Sequence, residues 1–216
     1  MISPTFRILE VNLSSGRSAI RSMPGVETCL GGSGLAARLH LDLAKPHLAW
    51  DDPAQPLIFA IGPLTGFFPL MSKSVCAFTS PMHSQYAESH AGGRSALALR
   101  FTGLDALIVT GRSERPVVLH LGCNVIELLD AGYLWGKDAL TTGKLLRSIL
   151  KGSGHRTIIR IGPAGENKSA MACINVDTYR HFGRLGGGAV MGAKNLKAIA
   201  IEGNGSQDLP AGKDYS

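Results

Sequence analysis

A short apolar run closed by Gly-Pro occurs twice in this chain, one hundred positions apart: Leu57-Ile58-Phe59-Ala60-Ile61-Gly62-Pro63 and Thr157-Ile158-Ile159-Arg160-Ile161-Gly162-Pro163. Runs of this length with that punctuation read as buried strands entering a tight turn. The echo continues, because Gly92-Gly93 followed by the strand-like Leu104 to Gly111 is answered by Gly186-Gly187-Gly188 followed by Leu196 to Gly203. Two related halves, each offering glycines and a basic residue, suggest one large ligand held about a pseudo-twofold axis, or two copies of a smaller one.

With 44% hydrophobic and 18% charged residues over 216 positions, the chain has apolar surface for one sizeable core or for two intimately packed half-domains. The net charge of +6 favours an acidic partner, but the Lys and Arg residues never form a run of five. No zinc-finger spacing, heptad repeat or RNP-like aromatic motif accompanies the charge, so no nucleic-acid partner is expected. Cys29, Cys76, Cys123 and Cys173 stand about fifty residues apart and form no C-x-x-C pair. Local zinc or iron–sulfur binding is therefore excluded, and most of them are expected to be buried small hydrophobes. Met1 to Thr5 has no charged leader pattern, and no stretch reaches the roughly eighteen apolar residues of a membrane span. A cytoplasmic location follows as the default.

Arg7 to Leu13 alternates apolar and polar positions and meets Ser14-Ser15-Gly16, which predicts a hairpin. Ser33 is expected to cap a helix striped by Leu35, Leu39 and Leu43 that ends before Pro46. Strands are expected at 57–61, 75–79, 106–110, 117–121, 125–129 and 157–161, around 171–176, and at 196–203. Short helices are expected from Ser95 to Phe101 and after Trp135-Gly136-Lys137-Asp138, where Leu145, Leu146, Ile149 and Leu150 form a stripe. The segment between Pro81 and Arg94 reads as a polar loop. Strands in runs with few long helices indicate an α+β fold rather than a doubly wound sheet. The polar stretch after Gly203 reads as the start of a linker.

Arg180-His181-Phe182-Gly183-Arg184-Leu185-Gly186-Gly187-Gly188 is the densest functional candidate. Glycines let backbone N–H groups approach an anion, and Arg180 and Arg184 supply forked donors, which suits phosphate. The alternative is that Gly186 to Gly188 only allow a tight turn against a neighbouring sheet. Lys73, Glu88, Ser89, His90, Gly92, Gly93 and Arg94 form a looser counterpart in the first half. G-x-S-x-G, the Walker pattern and a G-x-G-x-x-G fingerprint in strand-to-helix context are absent, which leaves serine hydrolases and nucleotide-binding folds without support.

Longer motifs point to one family. Gly31-Gly32-Ser33-Gly34-Leu35, Gly62-Pro63-Leu64-Thr65-Gly66, Phe101-Thr102-Gly103-Leu104-Asp105-Ala106, Trp135-Gly136-Lys137-Asp138, Ile161-Gly162-Pro163-Ala164-Gly165-Glu166-Asn167 and Gly187-Gly188-Ala189-Val190-Met191-Gly192-Ala193-Lys194-Asn195-Leu196-Lys197 follow one another in order. In this the chain resembles the N-terminal domain of the tungsten-dependent aldehyde ferredoxin oxidoreductases, over roughly residues 5 to 203. The resemblance implies two pseudo-twofold-related β-sheet halves with flanking helices, roughly 1–112 and 113–203, within one cofactor-binding domain, with 204–216 a polar tail. It implies that each half faces one pterin of a tungsten bis-pyranopterin, with molybdenum as the other metal, and that a magnesium ion bridges the pterin phosphates.

Carried over residue by residue, the implied cofactor contacts are Lys73, His90 and Gly92 in the first half and Arg180, His181, Gly183 and Arg184 in the second. The backbone carbonyls of His90 and His181 are the implied magnesium contacts. Lys73 stands where the family commonly has arginine, which keeps the charge but loses the bidentate fork. His90 replaces asparagine, His181 alanine, and Leu185 a usual glycine. The ligands of the [4Fe-4S] cluster and the acid/base residues lie in later domains of the family, so no catalytic residue is expected on this chain. The implied role is the cofactor-binding part of an enzyme that oxidises aldehydes to carboxylic acids with ferredoxin as acceptor. Its implied partners are the polypeptide carrying the cluster and substrate pocket, ferredoxin, and a second copy in a homodimer. The second reading is a non-catalytic pterin-binding or scaffold protein left from a split or truncated oxidoreductase, motivated by the changes at Lys73, His90, His181 and Leu185.

Overall fold

The computed structural model describes residues 3–206, so most of the expected polar tail, from position 207, lies outside the described residues. The first half runs β1 (Thr5–Asn12), β2 (Arg17–Pro24), α1 (Val26–Cys29), α2 (Gly32–Leu43), β3 (Leu57–Ile61), β4 (Ser74–Thr79), β5 (Tyr86–Ala91), α3 (Ser95–Arg100) and β6 (Ala106–Thr110). The second runs β7 (Val117–Gly122), β8 (Ile126–Asp130), a single 3-10 turn, α4 (Ala139–Ile149), β9 (His155–Arg160), α5 (Pro163–Glu166), β10 (Ile174–Val176), β11 (Arg180–Phe182), α6 (Gly187–Ala193) and β12 (Leu196–Gly203).

The duplication legible in the Gly-Pro runs is complete at the level of topology. One six-stranded sheet has the order β2-β1-β6-β3-β4-β5, and the other, taken from its matching edge, β8-β7-β12-β9-β10-β11. In each, the opening hairpin is antiparallel, its first strand lies parallel to the last strand of the half, and every other pairing is antiparallel. The molecule is therefore α+β, with two mixed sheets and flanking helices.

Strand side chains explain the layering. Alternate residues of β3 enter different cores: Leu57, Phe59 and Ile61 join Ile159, Ile161, Ile174 and Phe182 between the sheets, while Ile58 and Ala60 pack with Leu35 and Leu39 of α2 outside. Ile158 and Leu146 of α4 build the matching outer core on the second sheet. A strand buried on both faces needs a continuous apolar run, and β3 and β4 are buried throughout. The helix α3 crosses to the other half to pack on β9 and β12, while α6 packs on α5 and β12 of its own half and also against β4 of the first sheet.

Close packing of α6 against both halves accounts for the glycine triplet. A Cβ on Gly187 would stand 2.9 Å from Phe78 Cε1 and one on Gly188 2.6 Å from the carbonyl of Cys173. All seven residues of α6 are buried, so the packing reading holds for Gly186 to Gly188 and the phosphate reading of these three does not.

Several local expectations need correction. The loop after Pro81 contains β5, whose inward positions Ala87, Ser89 and Ala91 are too small to make an apolar alternation visible in sequence. The strand sought around 171–176 is the three-residue β10. Gly31 rather than Ser33 occupies the N-cap of α2 and no side chain caps it. Only Cys76 is buried, while Cys29 and Cys173 are intermediate and Cys123 is exposed. Asp138, by contrast, caps α4 as its position suggests, accepting from the N–H groups of Leu140 and Thr141.

Lysine and arginine side chains latch the halves together. Lys194, 2% exposed, donates to the carbonyls of Pro53, Gln55 and Gly111 at 3.1, 2.7 and 3.3 Å. Arg112 reaches back to the carbonyls of Ala193 and Asp51. Burial, and after it the neighbouring Arg112 charge, push Lys194 from its ordinary 10.5 down to about 7. Between those values the unfolded chain holds a proton that the folded chain has released, so stability rises with pH over about 7 to 10.5. Urea unfolding of wild type and Lys194→Met across that range checks this. The wild type is expected to show the steeper rise, and equal slopes would contradict the assignment.

Candidate functional site

The two edge strands β5 and β11, one from each sheet, run beside each other. The Arg184 N–H donates to Ser89 Oγ at 3.3 Å, and Ser80 Oγ–H donates to the Leu185 carbonyl at 2.9 Å. This junction gathers the sequence candidates: His90 lies in β5 with Gly92 just beyond it, Arg180 and His181 lie in β11, and Gly183 and Arg184 follow. Lys73 precedes β4, one position outside the Ser74–Ala91 pair of the β4–β5 ladder. Segments about ninety residues apart thus meet through the docking of the sheets.

Lys73 and His90 line one cavity of about 640 Å³ together with Ser33, Gly62, Pro63, Leu70 and Met71. His90 is held by a hydrogen-bonded group that sequence reasoning did not assemble. Glu88 Oε1 lies 3.0 Å from His90 Nε2 and accepts from Ser33 Oγ at 3.0 Å, while Glu88 Oε2 accepts from the Tyr86 hydroxyl at 2.7 Å. Burial works to raise the Glu88 carboxyl, but the hydrogen bonds of His90, Tyr86 and Ser33 outweigh it and hold it below its ordinary value. An ionised carboxylate only accepts, so the proton on Nε2 of His90 is the donor to Glu88. Tyr86, raised by its burial and then by Glu88, stays protonated to make its bond. Period-two spacing of Tyr86, Glu88 and His90 was the one signal for this arrangement, and it becomes readable once β5 is known to be a strand.

Arg180 lies elsewhere, in a smaller concavity with Gly93 and Arg94. The side chains of Lys73, His181 and Arg184 are exposed. Neither Lys73 nor Arg184 has a side-chain partner among the described residues, so both cations are available to a ligand. Gly92 and Gly183 differ from the packing glycines of α6. A Cβ on Gly92 would meet nothing within 4 Å, and one on Gly183 only the Cβ of His181, at 4.0 Å. Neither has the left-handed backbone that demands glycine. Nothing in the chain's own packing requires glycine at either position, so both strand ends present bare main chain outward, where a flat or anionic ligand can come close. Among the described residues no group of three or more His, Cys, Asp or Glu is placed to hold a metal ion.

Residues 8–203 match the family described as aldehyde ferredoxin oxidoreductase, N-terminal domain. The tungsten-containing aldehyde ferredoxin oxidoreductase of Pyrococcus furiosus is 39% identical over 201 residues, which cover 92% of this chain and 33% of that protein. That of Thermococcus kodakarensis is 39% identical over 202 residues with the same coverage. The aliphatic sulfonate oxidoreductase, WOR-like subunit, of Pyrococcus furiosus is 34% identical over 160 residues, 69% of this chain and 26% of that one. Among solved structures, the active-site complex BamBC of benzoyl coenzyme A reductase with 1,5-dienoyl-CoA superposes with a TM-score of 0.86 at 32% identity, over 95% of this chain and 32% of that chain. The chain spans about a third of the length of these relatives.

Proposed function

Since the chain belongs to the aldehyde ferredoxin oxidoreductase family, as its N-terminal domain, we propose that it is the cofactor-binding base of a cytoplasmic tungsten bis-pyranopterin oxidoreductase. The observation that carries this reading is the β5–β11 junction, where one edge strand from each half ends near a glycine that its own packing does not require, and where the exposed Arg184 has no side-chain partner among the described residues. The reading assigns Lys73, His90 and Gly92 to one pterin and Arg180, His181, Gly183 and Arg184 to the other, and the His90 and His181 carbonyls would help to hold a magnesium ion bound with the cofactor.

This chain's residues bind and orient. Arg184 offers a planar fork to a phosphate oxygen pair, and Lys73 offers a point charge. Glu88 holds the His90 ring at the mouth of the cavity, so that face is set before a ligand arrives. Bound there, the cofactor would supply the two-electron oxidation of an aldehyde to a carboxylic acid, with electrons leaving by way of a [4Fe-4S] cluster to ferredoxin. The cluster ligands and the substrate pocket are assigned to polypeptide outside this chain.

Arg184→Ala, at an exposed position, is expected to lower the tungsten content of the assembled enzyme about tenfold, the loss of one charge-assisted contact pair. The urea midpoint of the variant should match wild type. Unchanged tungsten by elemental analysis of the purified complex would overturn the assignment. A stable complex of wild-type chain and cluster-bearing partner without metal would favour the scaffold reading instead.

A further inference from the structure

The concavity that receives Arg180 has a volume of about 310 Å³ and is also lined by Gly93, Arg94, Arg147 and Asp177. The family resemblance implies a role for Arg180 alone among these. Three arginines from separate elements line it: Arg94 between β5 and α3, Arg147 in the last turn of α4, and Arg180 at the start of β11. The one carboxylate in the lining is already engaged, since Asp177 Oδ1 accepts from Arg147 Nη2 and from the Ile158 N–H, each at 3.2 Å. Arg94 and Arg180 have no side-chain acceptor among the described residues. The approach of the halves is tight, because Gly93 at φ +99 leaves only the space in which a Cβ would stand 3.3 Å from Arg180 Cγ.

Like charges brought together on a folded surface repel, and an anion with several oxygens relieves that repulsion while accepting forked hydrogen bonds. A volume near the lower end of small-ligand sites suits a compact oxyanion. We propose that this concavity binds a phosphate-class oxyanion, and that Arg94 and Arg147 are binding residues alongside Arg180. The site stands on its own geometry; only the identification of its anion as a cofactor phosphate rests on the proposed function.

The test is titration of the full chain with inorganic phosphate and pyrophosphate by calorimetry at low ionic strength, where charge contacts are least screened. Saturable binding is expected in the wild type, with affinity about tenfold weaker in Arg94→Ala and intermediate in Arg94→Lys, which keeps charge but loses the fork. Arg38→Ala, at a surface arginine paired with Asp42 on α2, should bind like wild type. Arg94 is exposed and unpaired, so its variants are expected to fold, which circular dichroism checks.

No saturable binding, or equal affinity in wild type and Arg94→Ala, would overturn the proposal. Tungsten content of the assembled enzyme separates the sources of the anion. Arg94→Ala losing phosphate affinity and tungsten together marks a cofactor phosphate, whereas loss of phosphate affinity with tungsten retained marks a free phosphate. Failure of the cofactor reading itself shows in Arg184→Ala tungsten content and leaves the phosphate titration untouched.

Discussion

Lys197→Met is expected to cost about 3–5 kcal/mol of unfolding free energy, because it strands a buried carboxylate. Lys197, in β12, is 0% exposed and its Nζ donates to Glu166 Oε1 and, at 2.8 Å, to the Lys137 carbonyl. The side chain of Glu166 is only 4% exposed, and its other oxygen accepts from the Gly136 N–H at 2.8 Å. One ion pair thus ties together three motifs distant in sequence: Trp135 to Asp138, Ile161 to Asn167, and the run through Lys197. The first half solves the same problem with Arg100, which donates to the Gly62 and Thr65 carbonyls and to Asp105. Urea denaturation gives the measurement. The double variant Lys197→Met/Glu166→Leu should recover part of the loss, since removing both charges is far cheaper than removing one. A single-variant loss below about 1 kcal/mol would mean that the pair is not the buried tie described.

Phe182→Ala is expected to cost a similar amount, about 3–5 kcal/mol, from lost burial plus the cavity left behind. Phe182 is fully buried in the core between the sheets and meets Phe59 edge to face, with ring centroids 5.7 Å apart. Phe59 belongs to β3 of the first sheet and Phe182 to β11 of the second, so this contact presses the two halves together beneath the junction. His181 and Gly183 flank Phe182 in the chain, and the same variant is therefore expected to reduce tungsten retention in the assembled enzyme. Phe182→Leu, keeping most of the volume, should lose about half as much stability. A Phe182→Ala chain as stable as wild type would mean that the Phe59–Phe182 contact does not hold the two sheets together.

Much of the fold could be read from local pattern. Leu57 to Ile61 and Ala198 to Ile201 are apolar without interruption because both faces of those strands are covered, and burial on two sides leaves that mark in any sequence. β5 left no such mark. Its buried positions carry alanine and serine, since β11 and the second sheet crowd that edge, and small side chains give no hydrophobic alternation. Ser33 shows the same limit. As a helix-start residue it reads as a cap, but its hydroxyl instead meets Glu88, fifty-five positions away, and no local rule contains that partner.

The glycines divide the two sources of information most clearly. From sequence alone, the duplicated strand-turn pattern determined that two like halves exist, and the order of motifs tied them to one family. Sequence could not distinguish Gly187 from Gly183, because a residue without a side chain carries no sign of why the side chain is missing. Only tertiary packing set Gly187 against Phe78 and left Gly183 open. Periodicity is a property of one segment and its covering, whereas the β5–β11 junction and its arginines arise where two separately formed sheets dock. That docking is governed by the Phe59–Phe182 contact and by the small residues of α3 and α6, which no single stretch of the chain encodes.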